Sequence, residues 1–200
     1  MFIKFAFEDP IVYFLVVFTL ISSIVLHELA HGVMAIYEGD DTPRVKGHIT
    51  LNPIVHMGVV SLCCAFVLGI AWGMMPINPD KFRHARRSKV LVFLAGPMSN
   101  LAIALFCCLL MKVTSSAINP VLGVFAFMNL FMGLFNLLPL PGLDGFRALA
   151  QIFPRLEAIS QHPVTLLFSL FLVGFLASGS FGIDKLIGDL LMEIVNFLST

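Results

Sequence analysis

Charge is scarce in this chain. Its 200 residues hold 12 basic and 12 acidic side chains, 12% of the total with zero net charge, where a soluble domain carries about 25%. With 58% hydrophobic residues and a mean hydropathy of +0.97, a soluble globular fold is excluded. An α-helical polytopic membrane protein is expected instead. No nucleic-acid partner is expected. Cysteine is sparse too, and its four copies form adjacent pairs, Cys63-Cys64 and Cys107-Cys108, inside apolar runs. Adjacent thiols are a poor zinc pair and buried ones act as small apolar side chains, so neither a disulfide nor a cysteine metal site is expected. The start of the chain lacks a basic region leading into a short apolar core: Met1 to Pro10 carries Lys4, Glu8 and Asp9. No removable signal is expected.

What the chain has in quantity is apolar runs. The first predicts a helix from about Pro10 to Tyr37, longer than the ~20 residues a bilayer core needs. A polar loop from Glu38 to His56 follows, holding Asp40, Asp41, Arg44, Lys46, His48 and His56. Further runs cover Met57–Met75, Val90–Met111, Val121–Leu138 and Pro163–Ala177. The tail from Phe181 to Thr200 reads as a short span or an interfacial helix. About five to six membrane segments in one domain, 1–200, are expected. The abundant Phe and Met read as lipid-facing or packing surface.

Inside the first run stands His27-Glu28-Leu29-Ala30-His31-Gly32. Residues four apart share a helix face, so His27 and His31 can offer two imidazole nitrogens to one metal ion. Glu28 is too far round the helix to join them, yet near enough to take a proton from an attacking water. With six histidines and five glutamates in 200 residues, chance yields this pattern about 0.004 times per chain. Ionisable groups in hydrocarbon also need partners, since a central charge costs roughly 2.5–3.5 kcal/mol on insertion scales. The pattern is that of a zinc hydrolase.

A catalytic zinc takes three protein ligands and leaves a fourth position open. Most acidic residues lie in tails and loops, but Asp144 sits at the end of an apolar run between prolines and glycines. Asp144 is the candidate third ligand, and a plain Pro-Gly-Leu-Asp-Gly turn is the competing reading. His48 and His56 could in principle reach the metal, but without ligand spacing they read as loop histidines at a membrane surface.

Three motifs resemble those of the site-2 protease family of intramembrane zinc metalloproteases: HELAHG at His27–Gly32, AGPMSN at Ala95–Asn100, and NLLPLPGLDG at Asn136–Gly145. The resemblance implies that His27, His31 and Asp144 bind Zn2+ and that Glu28 is the catalytic base. It also matches Asn100 and Asn136 to asparagines used near the scissile peptide, with a bond between neighbouring helices as the competing role. The fold implied is a three-helix catalytic core at about 11–145 followed by C-terminal helices at about 146–200. The substrate implied is a single-span membrane protein within the lipid bilayer. With no insertion of PDZ size and no nucleotide-binding domain, this is a minimal form, whose control is left to the substrate, a regulatory membrane partner, a second copy or the embedded elements.

Placing His31 and Asp144 at one depth requires Met57–Met75 to be re-entrant, entering as a short helix and returning through Gly69, Gly73 and Pro76. Loops 38–56, 76–89 and 139–162 then share one side with nine of the 12 basic residues. The positive-inside rule makes that side cytoplasmic, in a prokaryotic inner membrane. The metal should lie about 9 Å below the end of the first helix, six residues beyond His31. Residues Trp72 to Asn78 are where an extended edge could hold an unwound substrate. The rival function is metal transport through the same His/Glu/Asp site, which needs polar side chains on both sides of the metal. Toward the far side only Thr19, Ser22 and Ser23 are available. A catalytically dead binding protein would have lost Glu28 or Asp144, and both are present.

Overall fold

The computed structural model describes residues 2–114, 117–153, 155–156 and 189. All regular structure among them is helical. A short lead-in, with a 3-10 turn at Phe2–Lys4 and α1 at Phe5–Glu8, precedes the long helix α2, Pro10–Tyr37. Its first turn is set by Asp9, whose carboxylate accepts the Val12 N–H at 3.1 Å, and by Pro10, whose fixed φ suits the first helical position. Its 28 residues make about 42 Å at 1.5 Å each, enough to cross a ~30 Å hydrocarbon core.

After the single turn α3, Thr42–Val45, the chain enters α4, Pro53–Leu68. This helix begins ahead of the apolar run because Asn52 accepts the Ile54 N–H and Pro53 fits the first helical position. It runs antiparallel to α2: Met57 packs on Ile24 and Val25, while the Tyr13 hydroxyl donates to the Phe66 carbonyl at 2.6 Å. Gly69, at φ +71°, ends it against the Phe2 ring. The chain then turns back. Trp72 exchanges two hydrogen bonds with the Ser61 hydroxyl, and Met74 N–H donates to the His56 carbonyl at 2.8 Å. The two limb contacts, two residues apart, reach points on α4 five residues apart, on either side of a break in that helix at Gly58, whose φ is +68°.

The limb returns to the side it left. Asn78 N–H donates to Asp40 at 2.6 Å, Arg83 N–H to the Glu38 carbonyl at 2.9 Å, and Lys81 pairs with Asp41. Segment 57–75 therefore folds back on itself as a hairpin, the shape that parity required, with its helix starting at Pro53. Alternate limb residues lie along α2: Ala71 on Ile24 and Val25, Gly73 on Glu28, Met75 on Gly32, and Ile77 beside Ala35. Two extended residues advance about 6.6 Å against 5.4 Å for a helical turn, so the limb tracks the helix roughly turn by turn.

Helix α5, Ala85–Met111, runs back along α2, and α6, Asn119–Asn136, packs on α5 through Ala104, Cys107, Cys108, Ala126 and Leu130. Gly133 lets the two approach, since a Cβ there would stand 2.7 Å from Leu101. The prolines after α6 deliver the chain to α7, Asp144–Ile152, which leans on α5 with Arg147 over the Phe93 ring. Among the described residues, three helices, α2, α5 and α6, are long and apolar enough to cross a membrane. The four cysteines are free. The runs expected at Pro163–Ala177 and Phe181–Thr200 lie outside the described residues.

Candidate metal centre

His27 and His31 stand on one face of α2 with ring centroids 4.7 Å apart and their Nε2 atoms 3.0 Å apart. Asp144, the first residue of α7, brings Oδ2 to 2.9 Å from His27 Nε2 and 3.2 Å from His31 Nε2. All three side chains are buried. Gly145 makes this entry of α7 possible, since a Cβ there would strike the Leu137 carbonyl. Gly96 does the same for α5: a Cβ would lie 2.6 Å from His27 Nε2 and closer still to His31 Nε2.

The opposite ring nitrogens reveal what this cluster is built to hold. His31 Nδ1 lies 2.6 Å from the Val92 carbonyl, which only accepts, so the proton is on Nδ1. His27 Nδ1 lies 2.6 Å from Asn100 Oδ1, whose amide nitrogen is occupied by Ser23 and Asn129, so its proton is on Nδ1 as well. As neutral imidazoles the two histidines therefore turn their Nε2 lone pairs, with the carboxylate oxygen, toward one point. Such a donor set repels itself unless a cation lies between. Tetrahedral zinc, with bonds of about 2.0–2.1 Å, spaces its ligand atoms by roughly 3.3 Å, close to what is seen. Among the described residues, this is the one group of three or more metal-ligating side chains.

Glu28 lies beside this group, nearly buried, against Gly73 of the return limb. Its carboxylate makes no hydrogen bond to another described residue, which leaves it free for water or substrate. A Cβ on Gly73 would stand 2.5 Å from Glu28 Cγ, so the limb touches Glu28 only because position 73 lacks a side chain.

A family model, Peptidase family M50, matches residues 111–177. The chain is 39% identical over 150 residues to "Putative zinc metalloprotease YwhC" of Bacillus subtilis, covering 69% of this chain and 68% of that protein. It is 33% identical over 187 residues to "Putative zinc metalloprotease Rip2" of Mycobacterium tuberculosis, covering 84% and 70%. Over 164 residues it is 33% identical to the protein of the same name in Mycolicibacterium smegmatis, covering 76% and 61%. This chain belongs to peptidase family M50, the site-2 proteases. It is an integral membrane protein. No solved structure matches it significantly.

For this site-2 protease the structure brings together His27, Glu28, His31 and Asp144, with Asn100 directly behind His27 and Asn136 hydrogen-bonded within its own helix. Asn100 is completely buried behind His27 with its amide engaged by His27, Ser23 and Asn129, which is the competing role, a bond between helices. Asn136 donates to the Met132 carbonyl of its own helix and makes no hydrogen bond to the ligand group. His56 also departs from expectation. It is not a surface loop residue but is buried within α4, 2% exposed, with Nε2 at 2.7 Å from the Thr50 carbonyl. His48 is half-buried, with Nδ1 at 3.0 Å from the Lys46 carbonyl. Neither joins the ligand group.

Sequence reasoning passed over Asn129, and it placed Gly73 in the return limb and Asp40 in the polar loop without their contacts to Glu28 and Asn78. Asn129 carried a signal: an amide in the middle of an apolar helix is costly unless bonded. Asp40, fully buried, accepts from Thr42 and Asn78 and so pins the base of the limb. Nothing local marks it.

Proposed function

We propose that this protein is an intramembrane zinc endopeptidase that cleaves a peptide bond in or near the transmembrane segment of single-span membrane proteins, as in regulated intramembrane proteolysis. The observation that carries this is the convergence of two imidazole lone pairs and a carboxylate oxygen within 4.8 Å, inside apolar helices. His27, His31 and Asp144 would hold the ion. Zinc, when bound, polarises a carbonyl and makes water a nucleophile near neutral pH. Glu28 takes the proton of the attacking water and gives it to the leaving nitrogen. The Gly73 contact keeps Glu28 at the limb, where a substrate strand would pass.

A substrate helix hides its carbonyls in backbone hydrogen bonds, so it must be unwound and held. The limb offers support for this. Trp72, Met74 and Asn78 donate their N–H groups to α4 or Asp40, whereas Ala71, Gly73, Met75 and Ile77 make no backbone hydrogen bond among the described residues. In near-extended chain, alternate residues face opposite edges, so one edge is bonded within the protein and the other is open to an added strand. The cytoplasmic orientation follows from the nine basic residues on the side of Asp40 and Asn78. Labelling single cysteines at positions 47 and 80 should place both on the cytoplasmic face; opposite faces would refute this topology.

Metal transit is disfavoured. On the path from the site to the far side, Thr19 and Ser22 bond carbonyls of their own helix and the buried Ser23 hydroxyl bonds no described residue, so the three form no relay. The deciding experiment is cleavage of single-span test proteins in liposomes by the wild type and by Glu28→Gln, with zinc quantified in both. Cleavage lost only in the variant, at about one zinc per chain in each, is expected. Zinc crossing the liposome wall with no cleavage by either protein would replace the protease with a transporter.

A further inference from the structure

The two histidine ligands are held in different ways. His31 is held by the main chain, because its Nδ1–H meets the Val92 carbonyl. His27 is held by a relay of side chains that crosses three helices. Its Nδ1–H donates to Asn100 Oδ1 at 2.6 Å, and Asn100 Nδ2 donates to Asn129 Oδ1 at 2.8 Å. Asn129 Nδ2, in turn, donates to the Phe125 carbonyl at 2.9 Å. Both amides are buried, at 0% and 1% exposure.

An Asn amide has a donor end and an acceptor end of nearly the same shape, so its direction must be set by its neighbours. Phe125 sets it here, because a carbonyl cannot donate. Asn129 must turn Nδ2 to that carbonyl and Oδ1 to Asn100. Asn100 must then turn Nδ2 to Asn129 and Oδ1 to His27. His27 is thereby obliged to carry its proton on Nδ1, which leaves the Nε2 lone pair facing Asp144 and His31. The only other partner holding Asn100 in this sense is the Ser23 carbonyl at 3.3 Å, at the long end for an N–H···O bond. With Asn129 gone, a reversed Asn100 would present a donor to His27 and admit the Nε2–H tautomer, which cannot bind metal.

From this geometry we infer that Asn129, on α6, is a positioning residue for the metal ligand His27, acting through Asn100. This rests on the zinc reading above and goes beyond it. It ties the third long helix to the metal with no ligand of its own.

The test is zinc affinity of the purified full chain, measured by competition with a chromophoric chelator, in Asn129→Leu and Asn129→Asp. Leu is close in size to Asn but can neither accept nor donate; Asp keeps an acceptor oxygen toward Asn100 in either protonation state. Leu should weaken zinc binding about 10- to 100-fold, the usual effect of losing a hydrogen-bonded support of a ligand, while Asp stays within about threefold of the wild type. In metal-free protein with 15N-labelled histidine, His27 should be the Nδ1–H tautomer in the wild type and a mixture in Asn129→Leu. Once Asn100→Leu has been introduced, adding Asn129→Leu should cost no further affinity. Leu within twofold of the wild type, equal losses in Leu and Asp, or additive losses in the double variant would each overturn the inference. A wild type that binds no zinc would instead overturn the zinc reading itself.

Discussion

The wall of the site made by α2, α5 and α7 and the wall made by the return limb use hydrogen bonds in opposite ways. Behind the ligands nearly every buried polar side-chain atom is engaged: His27 with Asn100, His31 with Val92, Asn100 with Ser23 and Asn129. The limb is bonded along one edge only, and its exposed side chains, Trp72 and Met74, point away from α2. A metal needs ligands fixed in orientation and tautomer, which a closed network supplies. An extended substrate needs unpaired backbone, which only an open edge supplies. The two walls meet at Glu28, the one acidic group with a ligand beside it in sequence and the limb against its side chain.

Separating the two walls by mutation is the sharpest test of that division. Glu28→Gln, at their junction, should lower cleavage about 10²- to 10⁴-fold, the usual worth of a general acid-base group, with zinc binding unchanged. Gly73→Ala touches only the limb side. Its Cβ would meet Glu28 Cγ at 2.5 Å, and displacing a reacting group by about 1 Å can cost roughly 10²-fold in rate. Cleavage should therefore fall while zinc affinity, read by chelator competition, holds. Gly96→Ala is the mirror image, since its Cβ intrudes on both histidines. Zinc binding should fail, with an overpacking loss of about 1–3 kcal/mol in stability. If either glycine variant moved both readouts equally, the two walls would not be independent.

Asp40→Asn sharpens the comparison at the base of the limb. It faces two main-chain donors, Thr42 N–H and Asn78 N–H, with one acceptor oxygen instead of two. A buried donor left unpaired costs about 1–3 kcal/mol. Faster hydrogen exchange at Asn78 should report the loosening before any change at the metal. The exposed Lys81–Asp41 pair bridges the same two segments, yet solvent screens it, and Lys81→Met should leave the melting temperature unchanged within error.

Legibility followed the range of the interaction. The limits of α2 were readable at Pro10 and Tyr37 because apolar length and a capped proline are local features. His27 and His31 were readable because four residues make about one helical turn, and Asp144 because an acidic residue beside an apolar run is conspicuous where charge is rare. Parity and the basic residues required a turn-back in the 57–75 segment, and Gly69 made it physically possible. What escaped was set at long range. For Asn100 the motif left a place near the scissile peptide and a bond between helices both open, and only packing shows its amide bonded to His27, Ser23 and Asn129. His56 looked like loop, until the cap at Asn52 began α4 early and buried it.

The sequence by itself determined that this chain lives in a membrane, where the first long helix begins and ends, and which side chains can ligate a metal. Those facts depend on composition and on spacings of four residues or fewer. Tertiary structure alone decided which asparagine supports which histidine, that Gly73 rests on Glu28 and Gly96 on the imidazoles, and which limb edge stays open. Each depends on the depth at which α2, α5, α6 and the hairpin pass one another. One residue of slip is 1.5 Å along a helix and about 100° around it, enough to unmake every one of these contacts.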